Sequence, residues 1–188
     1  MNELFEKLIA THDALTAAHF PHAFGGAIAL AYCTKEPRGT RDLDLNVFVP
    51  AERAEAVLGS LPKTVAITDT DIKTVMREGQ TRLWWDSTPI DIFLNNHPIH
   101  EQVARSLRWV PLGEREIPVL DCASLIVFKA LFNRTKDWAD IEAIAATSNS
   151  ELRGGVEFLS SVLAEDDEIL RRLVSVAEEG LEPPTRGL

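Results

Sequence analysis

Two aspartates one residue apart are the side chains of this sequence best placed to do chemistry. They are Asp42 and Asp44, in Thr40-Arg41-Asp42-Leu43-Asp44-Leu45-Asn46-Val47-Phe48-Val49. Side chains of a strand alternate between its faces. Leu43, Leu45, Val47 and Val49 therefore turn to a core, and Asp42, Asp44 and Asn46 share the opposite face. Two carboxylates side by side repel by roughly 1 to 4 kcal/mol at ~4 Å, so such a pair is either solvated or bridged by a cation. Asp91 repeats the pattern in Pro89-Ile90-Asp91-Ile92-Phe93-Leu94, an acid interrupting an apolar strand. If the two strands pair, three carboxylates meet on one sheet face, a hard, oxygen-rich site suited to Mg2+ or Mn2+. The plainer reading is a turn residue and a charge guarding a sheet edge, with Asp91 facing solvent. These residues alone leave both open.

The elements that must position the acids can be read around them. Arg82-Leu83-Trp84-Trp85 is strand-like, and Asp86-Ser87-Thr88-Pro89 reads as a hairpin turn leading into the Asp91 strand. Gly25-Gly26 precedes a helical run to about Tyr32, and glycines at such a turn let a backbone approach a ligand closely. Ala51 to Leu61 reads as a crossover helix, residues 71 to 79 as a short helix, and Leu4, Phe5, Leu8, Ile9 and Leu15 as the apolar face of a first helix. Asp121 is a suitable N-cap for a helix whose buried face is Leu125, Phe128, Phe132, Ile141 and Ile144. On one continuous helix Lys129 and Lys136, seven apart, project to nearly the same side. Lys136 and Asp140 read equally as an exposed i,i+4 pair. Ile169, Leu170, Leu173, Val174 and Ala177 form a packing stripe, with Glu165-Asp166-Asp167-Glu168 at the helix start, and Glu182 to Leu188 reads as a loose tail.

The glycine pair, the Asp-x-Asp strand and the later strand acid resemble the nucleotidyltransferase fold of the DNA polymerase beta superfamily. Within it the chain is most similar to small bacterial nucleotidyltransferases of the abortive-infection toxin and minimal antibiotic-modifying types. The resemblance covers roughly residues 20 to 145. It implies an α/β fold, with a mixed, mostly antiparallel sheet flanked by helices. Residues 1–148 would be the catalytic domain and 149–188 a helical extension and tail within the same globular unit. It also implies that Asp42, Asp44 and Asp91 hold two Mg2+ or Mn2+ ions, and that Gly25, Gly26, Lys129 and Lys136 bind the nucleotide. Arg41, on the loop leading to the acids, reads either as a nucleotide-binding residue that touches the triphosphate or as a solvated loop residue. The stretch between Gly26 and Asp42 is longer than the family's usual spacing, which an insertion in the Tyr32 to Gly39 loop absorbs. The implied reaction moves NMP from an NTP such as ATP to a hydroxyl of a tRNA end, a small molecule or a protein. A toxin of this kind has an antitoxin partner. The alternative is a noncatalytic nucleotide- or partner-binding domain of the same fold.

Composition narrows the partners. A net charge of -10 opposes broad, nonspecific DNA binding, which needs clustered Lys and Arg. A local basic patch from Arg38, Arg41, Arg105, Arg108, Lys129, Arg134 and Lys136 remains compatible with it. Asn2, Glu3 and Glu6 interrupt any apolar leader, and no apolar run is long enough to span a membrane. Cys33 and Cys122 sit in apolar helical contexts and read as reduced thiols of a cytoplasmic protein. His97 and His100 read as loop residues rather than zinc ligands, and Trp84, Trp85, Trp109 and Trp138 as packing residues.

Overall fold

The apolar alternation in Leu43–Pro50 does form a strand, and it lies in the middle of a sheet. A computed structural model of the chain describes residues 3–37 and 39–179. Arg38 and the Glu182–Leu188 tail lie outside them. Seven strands are present among the described residues: β1 (His22–Phe24), β2 (Leu43–Pro50), β3 (Val65–Ala66), β4 (Gln80–Trp85), β5 (Thr88–Asn95), β6 (Arg108–Leu112) and β7 (Arg115–Val119). They form one sheet in the order β3-β4-β5-β2-β1-β7-β6. Only β2 with β5, and β1 with β7, run parallel; the other neighbours are antiparallel. The mixed, mostly antiparallel α/β architecture expected from the sequence is therefore present.

The described residues fall into two compact units, one within 1–29 and 38–120, the other within 30–37 and 121–188. The first holds the whole sheet. Its helices are α1 (Glu3–Ala17), the start of α2 (Gly26–Thr34), α3 (Ala54–Ser60), α4 (Asp69–Glu78) and α5 (Ile99–Val103). Leu43, Leu45, Val47, Leu83, Ile90, Ile92 and Leu94 form one buried sheet face, and Leu8, Leu15, Val57, Leu58 and Val75 are buried in the same unit. α4 is bounded as its sequence dictates. Thr68 and Asp71 form a reciprocal capping box at its start, and Gly79 closes it in the left-handed region at φ 70°. The first helix differs from its reading in one respect: Phe5 is exposed, while Lys7 is buried in its place. The Lys7 ammonium donates to the Trp85 carbonyl and to Thr88 Oγ1, and pairs with Glu3.

A buried histidine pair in this unit gives its stability a pH dependence. His22 Nδ1–H donates to the Phe20 carbonyl at 2.8 Å, which leaves Nε2 to accept from His12 Nδ1–H at 2.9 Å. Burial pushes the His22 imidazole down to about 4, despite the Phe20 hydrogen bond that favours its charged form. The unfolded chain takes up a proton near pH 6.5 that folded His22 refuses until about pH 4. This contribution to stability is complete above pH 6.5 and is lost as pH falls across that window, at roughly 1.4 kcal/mol per pH unit. Urea unfolding at pH 7 and pH 5 should show a steeper loss for wild type than for His22→Phe. Equal pH slopes would contradict this account.

The second unit is helical: the end of α2, then α6 (Cys122–Phe132), α7 (Thr135–Thr147), α8 (Asn149–Ser160) and α9 (Glu168–Glu179). Asp121 caps α6 as expected, its carboxylate accepting from the Ser124 amide at 2.7 Å. Asp167 does the same for α9, accepting from the amides of Ile169 and Leu170. Two expectations are corrected here. Lys129 and Lys136 are not on one continuous helix, because Asn133 adopts a left-handed conformation (φ 54°) and separates α6 from α7. Cys33 and Cys122 are not reduced thiols; they form a disulfide between residues 89 apart in sequence, with a Cα–Cα distance of 5.6 Å. No helix among the described residues is long and apolar enough to cross a membrane.

Candidate active site

Strand register brings the acids together. β2 and β5 pair in parallel with Asp44 beside Asp91, and Leu43, Leu45 and Val47 beside Ile90, Ile92 and Leu94. Neighbours in register point to the same face, so the apolar row goes into the core and the two carboxylates come out together. On the far side of Asp91, β4 places Arg82 directly opposite it. On the far side of Asp44, the Gly25 amide donates to the Asp44 carbonyl at 2.8 Å. One row across the sheet thus reads Arg82, Asp91, Asp44, Gly25. Asp42 stands just before β2, half-buried, with Oδ1 accepting from Thr40 Oγ1 at 2.5 Å.

Arg82 holds Asp91 with both arms. Its Nε is 2.6 Å from Oδ1 and its Nη2 is 2.6 Å from Oδ2. The Asp91 carboxylate, followed by those of Asp42 and Asp44, holds the guanidinium well above its already high ordinary pKa. The sequence reading missed Arg82. Its signal was the hairpin itself: a two-residue turn at Asp86-Ser87 pairs Trp85 with Thr88, and the same register carried outward sets Arg82 against Asp91.

The glycine pair abuts the same row. Gly26 has φ +50°, and a Cβ added there would overlap the Asp44 carboxylate. A Cβ at Gly25 would crowd Asn46 Nδ2 at 3.1 Å and Leu120 Cδ1 at 3.2 Å. The turn then opens α2, whose first backbone bond runs from the Ala29 amide to the Gly25 carbonyl at 3.1 Å. Arg41 is exposed next to Asp42.

The donor set suits a divalent cation: carboxylate oxygens, two of them side by side in register, are the chemistry Mg2+ and Mn2+ take. Among the described residues, however, no three His, Cys, Asp or Glu side chains are gathered closely enough to hold a metal ion. Asp91 is turned to Arg82 and Asp42 to Thr40.

Lys129 and Lys136 lie in the second unit. Lys129 is buried, its ammonium 2.6 Å from Asp140 and 3.6 Å from Asp137. Asp140 is thus the partner of Lys129, not the exposed i,i+4 partner of Lys136. Asp137 is also held by Arg134, whose Nε is 2.6 Å away. Burial pushes the Asp137 carboxyl up, but Arg134 and Lys129 outweigh it and hold the group below its ordinary value. Lys136 is exposed on α7. His100 is buried on α5 with Nδ1 against the His97 carbonyl, while Trp84 and Trp109 are largely exposed, Trp109 lying edge-on to His12.

Known structures share the fold. The solution structure of the antibiotic-resistance factor ANT(2″)-Ia superposes with a TM-score of 0.57 at 14% identity, covering 84% of this chain and 92% of that one. ANT(2″)-Ia crystallised with adenylyl-2″-tobramycin gives a TM-score of 0.59 at 12% identity, over 85% of this chain and 99% of that one. An antigenic nucleotidyltransferase-like protein from Paracoccidioides brasiliensis gives 0.50 at 12% identity, over 92% and 87% of the two chains. At these identities the likeness is one of fold. No curated protein sequence matches the chain significantly. Residues 8–181 match the family described as "Nucleotidyl transferase AbiEii toxin, Type IV TA system". The match spans nearly the whole chain and both units, so the chain belongs to the AbiEii nucleotidyl transferase family and is a nucleotidyltransferase.

Proposed function

We propose that the protein moves a nucleoside monophosphate from an NTP to a hydroxyl of an acceptor and releases pyrophosphate, with Asp42, Asp44 and Asp91 holding two divalent ions. The observation that carries this reading is the in-register pair Asp44 and Asp91 on neighbouring strands, with Gly26 packed against Asp44. Divalent ions bound there would stabilise the attacking and leaving oxygens of the transfer. The chain's own part is positioning and charge. The sheet fixes Asp44 and Asp91 at neighbouring register positions; for the three to share ions, Asp42 has to leave Thr40 and Asp91 has to release Arg82. Gly25 and Gly26 keep side chains out of the space beside Asp44, so that backbone amides can approach a triphosphate. The exposed Arg41 supplies positive charge beside the acids. Lys129 and Lys136 enter as nucleotide-binding residues through the resemblance alone.

The acceptor class is a tRNA end, a small molecule or a protein. Acceptor choice is proposed for residues 149–188, with 1–148 carrying the transfer. The family name supports a toxin role with an antitoxin partner. A cytoplasmic setting, where NTPs are abundant, completes the proposal. In that compartment the burial of Cys33 and Cys122 shields their bond from attacking thiols. The test is magnesium-dependent release of pyrophosphate from each NTP in the presence of cell extract. Release by wild type supports the reading. Nucleotide binding without release points to a binding domain of the same fold. Growth arrest on expression, relieved by Asp42→Asn/Asp44→Asn, supports the toxin role, and harmless expression counts against it.

A further inference from the structure

The bidentate hold of Arg82 on Asp91 has consequences for the metal-free enzyme, given the metal-dependent reading above. Both Asp91 oxygens are engaged at 2.6 Å by one guanidinium. A divalent ion needs at least one of those oxygens in its inner coordination sphere. Guanidinium and metal therefore compete for the same carboxylate. The pair is also placed to break. The Arg82 side chain is 52% exposed and that of Asp91 22%, so the arginine can swing into water without unpacking the core. An Arg opposite an Asp on antiparallel strands is an ordinary cross-strand pair. This one differs because the next position in the row is Asp44, and the charges of Asp42 and Asp44 act on the guanidinium as well. With no cation at Asp91, the in-register carboxylates of Asp44 and Asp91 would lie side by side without a counter-charge between them.

We propose that Arg82 is a built-in counter-cation, which closes Asp91 in the metal-free enzyme and sets the metal concentration at which the site opens. It is a positioning residue that acts through Asp91. A planar guanidinium suits this use better than an ammonium, because its fork matches both carboxylate oxygens.

The test is Mn2+ affinity, measured by electron paramagnetic resonance with the metal alone. Proteins compared are wild type, Arg82→Gln, Arg82→Lys and Asp42→Asn/Asp44→Asn. Arg82→Gln is expected to bind Mn2+ about tenfold tighter than wild type, with Arg82→Lys between them, because its single point charge cannot span both oxygens. Equal affinities in wild type and Arg82→Gln would overturn the inference, provided that Asp42→Asn/Asp44→Asn has lost Mn2+ binding. If that double variant binds Mn2+ as wild type does, the metal reading itself fails, and this inference with it. Both Arg82 variants alter a half-exposed side chain, and a thermal melt of each confirms that it is folded.

Discussion

Replacing Gly26 with alanine is expected to lower nucleotide transfer at least a hundredfold while leaving a folded protein. Two physical effects combine at this position. An L-residue held in the left-handed region costs about 1–2 kcal/mol, and Gly26 sits there at φ +50°. The larger effect is steric. The new methyl group would occupy the space of the Asp44 carboxylate, so either the turn or Asp44 has to move. Displacing a reacting group by about 1 Å is enough to cost a factor of 10² in rate. Asp44 is anchored by the β2–β5 register and by the Gly25 amide, so the strain falls on its side chain and on the start of α2. Thermal denaturation and transfer rate measured on the same preparation separate the two effects. The expected result is a small loss of stability with a large loss of rate. Transfer within a few-fold of wild type would show that the glycine turn does not constrain the acids.

The second large effect concerns stability rather than rate. Lys129→Met is expected to destabilise the protein by about 3–5 kcal/mol, the usual consequence of leaving a buried charge without its partner. Asp140 and Asp137 have side-chain exposures of 5% and 1%, and Lys129 is the cation 2.6 Å and 3.6 Å from them. Asp137 keeps Arg134, so the ion pair lost is chiefly the one with Asp140. The double variant Lys129→Met/Asp140→Leu should accordingly recover most of the loss. Urea unfolding of the two variants beside wild type checks both statements. A loss below 1 kcal/mol in the single variant would mean that the ion cluster is not what closes α6 against α7.

The parts of the site carried by alternation were legible in the sequence. Apolar residues at every second position of Leu43–Val49 and Ile90–Leu94 fixed which face of each strand is buried, and so put Asp44 and Asp91 on a common opposite face once the strands pair; the register that sets them side by side came from the structure. Arg82 required one further step, counting the hairpin register outward from Asp86-Ser87. The break between α6 and α7 was hidden by Leu125, Phe128, Phe132, Ile141 and Ile144, whose spacing stays helical across it. Asn133 was the local signal, since asparagine tolerates the left-handed conformation that ends a helix, and its side chain also accepts from the Trp138 indole at 2.7 Å. The β6–β7 hairpin carries Pro111 and Pro118 on facing strands, a composition that argues against a strand reading. Cys33 and Cys122 are too far apart in sequence for local pattern to pair them.

The central claim is that three strand-borne acids run a metal-dependent nucleotide transfer. Its most direct test offers the four labelled NTPs, with magnesium, to wild type and to Asp42→Asn/Asp44→Asn. Cellular RNA, protein extract and small-molecule pools serve as acceptors. The account predicts that wild type labels one pool, and that labelling falls at least about a thousandfold in the folded double variant, in line with the loss of metal-held charge stabilisation. Labelling that survives in the double variant would contradict it.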